Sequence, residues 1–183
     1  MKRKTLISIA STTLTLMTIA SMAYATALAT NDRIEREQTI RQTIYDSAQI
    51  ECLAKNIYHE ARSESFTGQR AVAWVTLNRV DSGQYPDNVC DVVYQGRRDK
   101  SGNPIRHKCQ FSWYCDGKDD EISDRDAWAN AMFIAEIVYE NHSNEISFDP
   151  TEGATMYHAS YANPYWTVKF DKTVRIDDHI FYK

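Results

Sequence analysis

One carboxylate in this chain stands where it could carry a proton to and from a substrate. Residues 52–78 read CLAKNIYHEARSESFTGQRAVAWVTLN, and Glu60 lies near the end of an apolar helical pattern, just before a Gly-containing break. At about 100° per residue, Ile50, Leu53, Ala54, Ile57 and Ala61 fall on one stripe, with Glu60 on its flank and His59 pointing away. A carboxyl half-sunk in an apolar wall has its charged form disfavoured, so its pKa rises. Such a group stays protonated near neutral pH and can act as a general acid. The plainer reading of the same spacing makes Glu60 a boundary residue whose carboxylate reaches water. Glu64, four residues on, shares a face with Glu60 if the helix continues. Neighbours on one helix seldom flank a substrate bond from opposite sides, so Glu64 is read as a binder or a helix-end residue.

Two aromatic segments could wall a cleft around that acid. Gln110-Phe111-Ser112-Trp113-Tyr114 is polar and aromatic and is bracketed by Cys109 and Cys115. Tyr157-His158-Ala159-Ser160-Tyr161-Ala162-Asn163-Pro164-Tyr165-Trp166 is denser still. Sugars stack their C–H faces on aromatic rings, and such segments suit a glycan. The alternative is that Trp113 and Trp166 are partly buried core residues. Neither segment offers a clear second catalytic carboxylate. Other chemistries fit less well. HEARSE lacks the second His of a HExxH zinc motif, no GxSxG-like elbow is present, and no close CxxC pair suggests zinc.

These side chains need a scaffold. Ser47 to about Ser63 reads as the first core helix, with Ser47 as its N-cap. Gln69 to about Val80 is a second helix, and Asn88 to Tyr94 a short third. Gly96 to Lys108 reads as a basic Gly/Pro-containing loop, either a solvated face or a contact to anionic wall polymer. Ser123, with Asp126 three residues later, opens a helix whose broad apolar face includes Trp128, Ala131, Ile134, Ala135 and Val138. It is expected to be the longest helix and the central one. From Ala154 the pattern turns to short strands, with Asp177-Asp178 as a turn. The fold class expected is α+β, mostly helical, in a single domain with a short C-terminal strand region.

Lys2, Arg3 and Lys4 precede an apolar, Ser/Thr-rich stretch from Leu6 to about Ala20, and Ala23-Tyr24-Ala25 offers small residues for a signal peptidase. Residues 1–25 are read as a signal peptide, with an uncleaved membrane anchor as the alternative, and the domain as acting in the periplasm or cell wall. Residues 26–46 read as a linker or surface helix, and 47–183 as the catalytic domain. The whole chain carries a formal charge of −4; without residues 1–25 it is −7, from 18 basic and 25 acidic residues. An acidic domain is a poor binder of nucleic acid or anionic lipid, and a glycan suits it better. Cys52, Cys90, Cys109 and Cys115 fit two disulfides in an exported protein. Three pairings are open. A short loop could join Cys109 to Cys115, which would leave Cys52 for Cys90.

LAKNIYHEARSES, GQRAVAWVTLNRV, VCDVVYQ, CQFSWYCDG and GATMYHASYANPYW, in that order from Cys52 to Trp166, resemble the spore-cortex-lytic and cell-wall hydrolase (SleB/CwlJ-like) family. The chain departs from the pattern at Ser63, where the family commonly has Gly. The resemblance implies a lysozyme-like fold and a peptidoglycan-cleaving enzyme with no cofactor, with Glu60 as its acid. It also implies cleft-side places for Gln110, Phe111, Ser112, Tyr157, His158 and Trp166. A single acid suffices for lytic transglycosylase chemistry at the MurNAc–GlcNAc bond, because the muramyl 6-hydroxyl is its own nucleophile. A hydrolytic muramidase, a glucosaminidase and a non-catalytic peptidoglycan-binding module are the alternatives.

Overall fold

In the computed structural model, residues 2–144 and 148–183 are described, with backbone alone for 2–16 and 18–20. The chain divides into two units, Met1–Tyr45 and Asp46–Lys183. The first unit is helical, and its described side chains lie exposed. The signal-peptide reading concerns residues 1–25, and most of their side chains fall outside the described set. The helix α1 that begins there is continuous over Lys2–Ala61, so no helix start forms at Ser47.

In the second unit, the end of α1 buries Leu53, Ala54, Ile57 and Ala61, the predicted apolar stripe. Helix α2 (Phe66–Asp81) is the central one, with ten of its residues buried. The sequence AVAWVTL is apolar around most of its circumference, and such a helix belongs inside. Helix α3 (Val89–Val93) buries Val89, Val92 and Val93, and helix α4 (Arg125–Ser143) buries Ala131, Ile134, Ala135 and Val138. Thus α4 packs against the centre rather than forming it. Its cap is Asp124, not Ser123: the Asp124 side chain accepts from the backbone N–H of Asp126 and Ala127 at 3.1 and 3.0 Å. Asp, like Ser, caps well, and Asp124 alone stands directly before the first helical residue.

The predicted basic loop is a hairpin, β1 (Gly96–Arg98) paired antiparallel with β2 (Pro104–Cys109). Its side chains are mostly exposed, so no alternation of polar and apolar residues marks it in the sequence. Gly96 is required there, because a Cβ would strike the Cys109 Sγ. Cys109 is bonded to Cys115 and Cys52 to Cys90. The tail forms an antiparallel sheet, ordered β3 (Met156–Ala159), β5 (His179–Tyr182), β4 (Lys172–Ile176). Its β4–β5 turn clamps the start of α2: Asp177 accepts from the backbone N–H and hydroxyl of Ser65 at 2.9 and 2.6 Å. Gly68 lies so close to that carboxylate that no side chain would fit. The architecture is mostly helical α+β with short C-terminal strands.

Candidate active site

Glu60 ends one wall of an open cleft of about 420 Å³. α1 stops one residue later, so the carboxyl stands at the helix end, half-buried. Opposite, β3 brings in Tyr157, whose hydroxyl donates to Glu60 Oε2 at 2.9 Å. Burial raises the Glu60 pKa; the Tyr157 hydrogen bond and the nearby Arg79 charge act the other way. Burial likewise holds the Tyr157 hydroxyl well above its usual pKa, with the Glu60 charge adding to the effect. Tyr157 is therefore a permanent donor, and one carboxylate oxygen of Glu60 is committed to it.

Arg79, from α2, lies beneath this pair and is 4% exposed. Its Nε donates to the Thr155 carbonyl at 2.8 Å, and its guanidinium stands over the rings of Phe111 and Tyr85 at 4.8 and 5.2 Å. The sequence pattern alone gave Arg79 no role. Its signal was there: an Arg inside an otherwise apolar helix has to meet a partner or a ligand. Among the described residues, Arg79 Nη1 and His179 Nδ1 are buried without a hydrogen-bond partner, and both side chains line the cleft. Buried polar atoms left unpaired by the protein are ones that a ligand can satisfy.

The second wall is the segment held by the Cys109–Cys115 disulfide. Gln110, Phe111, Ser112 and Trp113 all line the cleft. Gln110 and Ser112 are exposed and free to reach a ligand, whereas Phe111 and Trp113 are 2% and 8% exposed. Trp113 thus combines both sequence readings, core residue and cleft wall. Its Nε1 donates to Asn56 Oδ1 at 3.0 Å, and Asn56, fully buried, donates in turn to Thr76 Oγ1 at 3.2 Å. This chain of bonds fixes the aromatic wall to α1 and α2. His59 does not point away as the helical wheel suggests. It lines the cleft and stacks on Trp113, with ring centroids 4.4 Å apart and 18° between planes.

His158 and the 91%-exposed Tyr161 complete the rim. His158 Nε2 lies 3.0 Å from the Tyr182 hydroxyl. Two expected cleft residues lie elsewhere. Trp166 packs edge-on behind His158 and Tyr182 and does not line the cleft. Glu64 does not share a helical face with Glu60, because α1 ends at Ala61; its Oε2 instead accepts from Asp178 N at 3.2 Å. Asp116 went unnoticed in the sequence. Among the described residues it is the carboxylate other than Glu60 that lines the cleft, with Oδ1 accepting from Lys118 N at 2.8 Å. Among those residues no group of His, Cys, Asp and Glu could hold a metal ion. The arrangement can deliver a proton from a half-buried carboxyl to a ligand lying between aromatic walls.

The profile of the cell wall hydrolase family matches residues 63–182, beginning three residues after Glu60. Spore cortex-lytic enzymes of Halalkalibacterium halodurans and Oceanobacillus iheyensis are 45% and 43% identical over 51 and 53 residues, 28% and 29% of this chain. These stretches span only 16% and 19% of those relatives' length. The fold is similar to the catalytic domain of the Bacillus cereus SleB protein: TM-score 0.55, 27% identity, covering 74% of this chain and 89% of that one. The catalytic domain of the germination-specific lytic transglycosylase SleB from Bacillus anthracis is likewise similar, with TM-score 0.53, 28% identity and coverage of 74% and 93%. The expected lysozyme-like fold class is thus met.

Proposed function

The chain belongs to the cell wall hydrolase family, and on that premise we propose that it is an exported lytic transglycosylase that cuts the glycan backbone of bacterial peptidoglycan at the MurNAc–GlcNAc bond. The observation that carries the proposal is the Glu60 carboxyl, half-buried in a cleft walled by Trp113, His59 and Tyr157, its pKa raised by burial. Glu60 protonates the glycosidic oxygen as the C1–O bond breaks. The muramyl 6-hydroxyl then attacks C1, and its proton passes to the Glu60 carboxylate. A 1,6-anhydro bond replaces the glycosidic one, the leaving sugar keeps the first proton, and Glu60 ends protonated as it began. Tyr157 holds Oε2, leaving Oε1 to face the reacting oxygen. The similarity to a lytic transglycosylase catalytic domain supports this route.

Hydrolysis is the second reading, and Asp116 is the observation that favours it, since a second carboxylate in the cleft could activate water. The basic start, the apolar stretch behind it and the two disulfides support action in the periplasm or cell wall. Digestion of purified sacculi, with the new sugar ends identified by mass spectrometry, tests the proposal. Anhydromuramyl ends are expected. Sacculi left intact by the exported, oxidised protein would end it.

A further inference from the structure

A second hollow lies beside the Glu60 cleft. Gln110 lines both, and the second, of about 480 Å³, is otherwise formed by Gln95, Gly96, Arg97, Lys108 and Cys109 at the root of the β1–β2 hairpin. The hairpin is strongly basic in a chain of net charge −4: Arg97, Arg98, Lys100, Arg106 and Lys108 stand against Asp99 alone. Two of these cations are spent within the protein. Arg98 Nη1 donates to the Gly102 carbonyl at 3.0 Å, and Arg106 Nε to the Asp116 carbonyl at 2.9 Å. Arg97 and Lys108 are different. Among the described residues neither has a side-chain hydrogen bond or a carboxylate within ion-pair distance. Both are exposed, and both face the same hollow. Arg97 and Lys108 adjoin the paired residues Gly96 and Cys109, and Cys109 is bonded to Cys115, so the backbone that carries the two cations is tied beside the cleft.

Two like charges facing one hollow repel each other, and an anion between them relieves the repulsion. The sugar backbone offers no such anion, because a muramyl unit with a stem peptide carries its lactyl carboxyl as an amide. The stem itself does, through the free carboxylates of its amino acids. It must also leave the cleft sideways, since it branches from the sugar chain. Resting on the glycan-cleaving reading above, we propose that the Arg97–Lys108 hollow binds a carboxylate of the peptide stem carried by the substrate's muramyl unit. The enzyme thereby prefers stem-bearing glycan to bare glycan.

The test uses Glu60→Gln protein, which keeps the groove but does not consume its ligand. Its binding to sacculi stripped of phosphate polymers is measured by sedimentation, before and after carbodiimide coupling with excess methylamine has turned the stem carboxylates into neutral amides, which leaves the cross-linked sacculus intact. The comparison is repeated with Arg97→Ser and Lys108→Ser added. Both are exposed positions, and circular dichroism checks the fold. The double substitution is expected to weaken binding to stem-bearing sacculi roughly five- to twentyfold, in line with two solvent-facing ion pairs. Amidation of the carboxylates should cause a similar loss, and the double variant should then bind the amidated sacculi as tightly as its parent. Equal weakening on amidated sacculi would make the two cations sugar contacts and overturn the proposal. Unchanged binding on both would make them a solvated face, and a dependence that follows the phosphate polymers instead would assign the hollow to those. The wild-type enzyme's cleavage of both kinds of sacculi is scored separately. If it cuts neither substrate the glycosidase reading fails, while the binding comparison still decides the hollow.

Discussion

Tyr157 reaches 97 residues back along the chain to donate its hydroxyl to Glu60 Oε2 at 2.9 Å. The bond does two things. It orients the carboxyl, and it stabilises the charged form, partly offsetting the rise that burial imposes on the Glu60 pKa. Tyr157→Phe removes both effects. Cleavage should fall roughly ten- to hundredfold, since misplacing a proton donor is costly. Glu60 acts as the protonated acid, so its pKa governs the alkaline limb of kcat/KM. Without the donor that pKa rises further, and the alkaline limb should move to higher pH. A profile that merely drops in height, with its limbs unmoved, would leave Tyr157 no electrostatic role.

Glu60→Gln should reduce wall cleavage by about 10²–10⁴-fold, the usual worth of general acid catalysis, with the far-UV spectrum unchanged. It should also alter the pH dependence of stability. A carboxyl whose folded pKa is raised binds its proton more tightly when folded. Its ionisation therefore costs stability as pH climbs through the unfolded value, about 4.3, and the full cost is present above the folded pKa. Gln never pays that cost. The melting temperature of the Gln variant relative to wild type should rise from acidic to neutral pH. A flat difference would mean that Glu60 is solvated.

The positions of these groups were legible in the sequence to unequal degrees. Leu53, Ala54, Ile57 and Ala61 announce the buried face of α1 because helical geometry makes side-chain direction periodic. His59 broke that rule: its ring, which the helical wheel points away from the stripe, finds Trp113 more than fifty residues away and turns onto it. No local pattern encodes such a contact. The basic hairpin was hidden for a related reason. A strand pair with neither face buried need not alternate. Trp166 and Glu64 lay in the right segments, but a sheet pairing and a helix end, both set by tertiary packing, turn them elsewhere.

The two disulfides should be separable in effect. In the chain-entropy description, Cys52–Cys90, with its separation of 38 residues, contributes about 4 kcal/mol and Cys109–Cys115, with a separation of 6, about 2 kcal/mol. Removing the first pair as Ala should lower the melting temperature more. Removing the second should damage activity more, because it holds the Gln110–Trp113 wall. Thermal melts and sacculus digestion on the same two variants check both orders, and a reversed ranking in activity would detach that wall from function.

Asn56→Ala should show how far the aromatic wall depends on its anchor. The change leaves Trp113 Nε1 without a partner and Thr76 Oγ1 with only its bond to the Val72 carbonyl. Unsatisfied buried groups cost about 1–3 kcal/mol each. A loss of stability of that order is expected, together with a raised KM as Trp113 loosens. Loss of stability with KM unchanged would confine Asn56 to the core.

The last expectation concerns the products. Glu64 is held by the Asp178 backbone, and Glu152 stands in an exposed turn away from the cleft, so neither can oppose Glu60 across a glycosidic bond. Asp116 lines the cleft, but its Oδ1 accepts from Lys118 N at 2.8 Å and its Oδ2 lies 3.7 Å from the Lys118 ammonium, so both oxygens already have partners. The muramyl 6-hydroxyl, already tethered to its own ring, needs no such help, because an intramolecular nucleophile is worth many orders of magnitude in effective concentration. Muropeptides released by this protein should therefore end in 1,6-anhydro-N-acetylmuramic acid, one water lighter than a hydrolysed end. Digestion in heavy-oxygen water decides the matter, since the intramolecular route incorporates no label. Labelled reducing muramyl ends would make water the nucleophile, and Asp116→Asn would then be expected to abolish labelling along with activity. Labelled N-acetylglucosamine ends would move the cut to the other glycosidic bond.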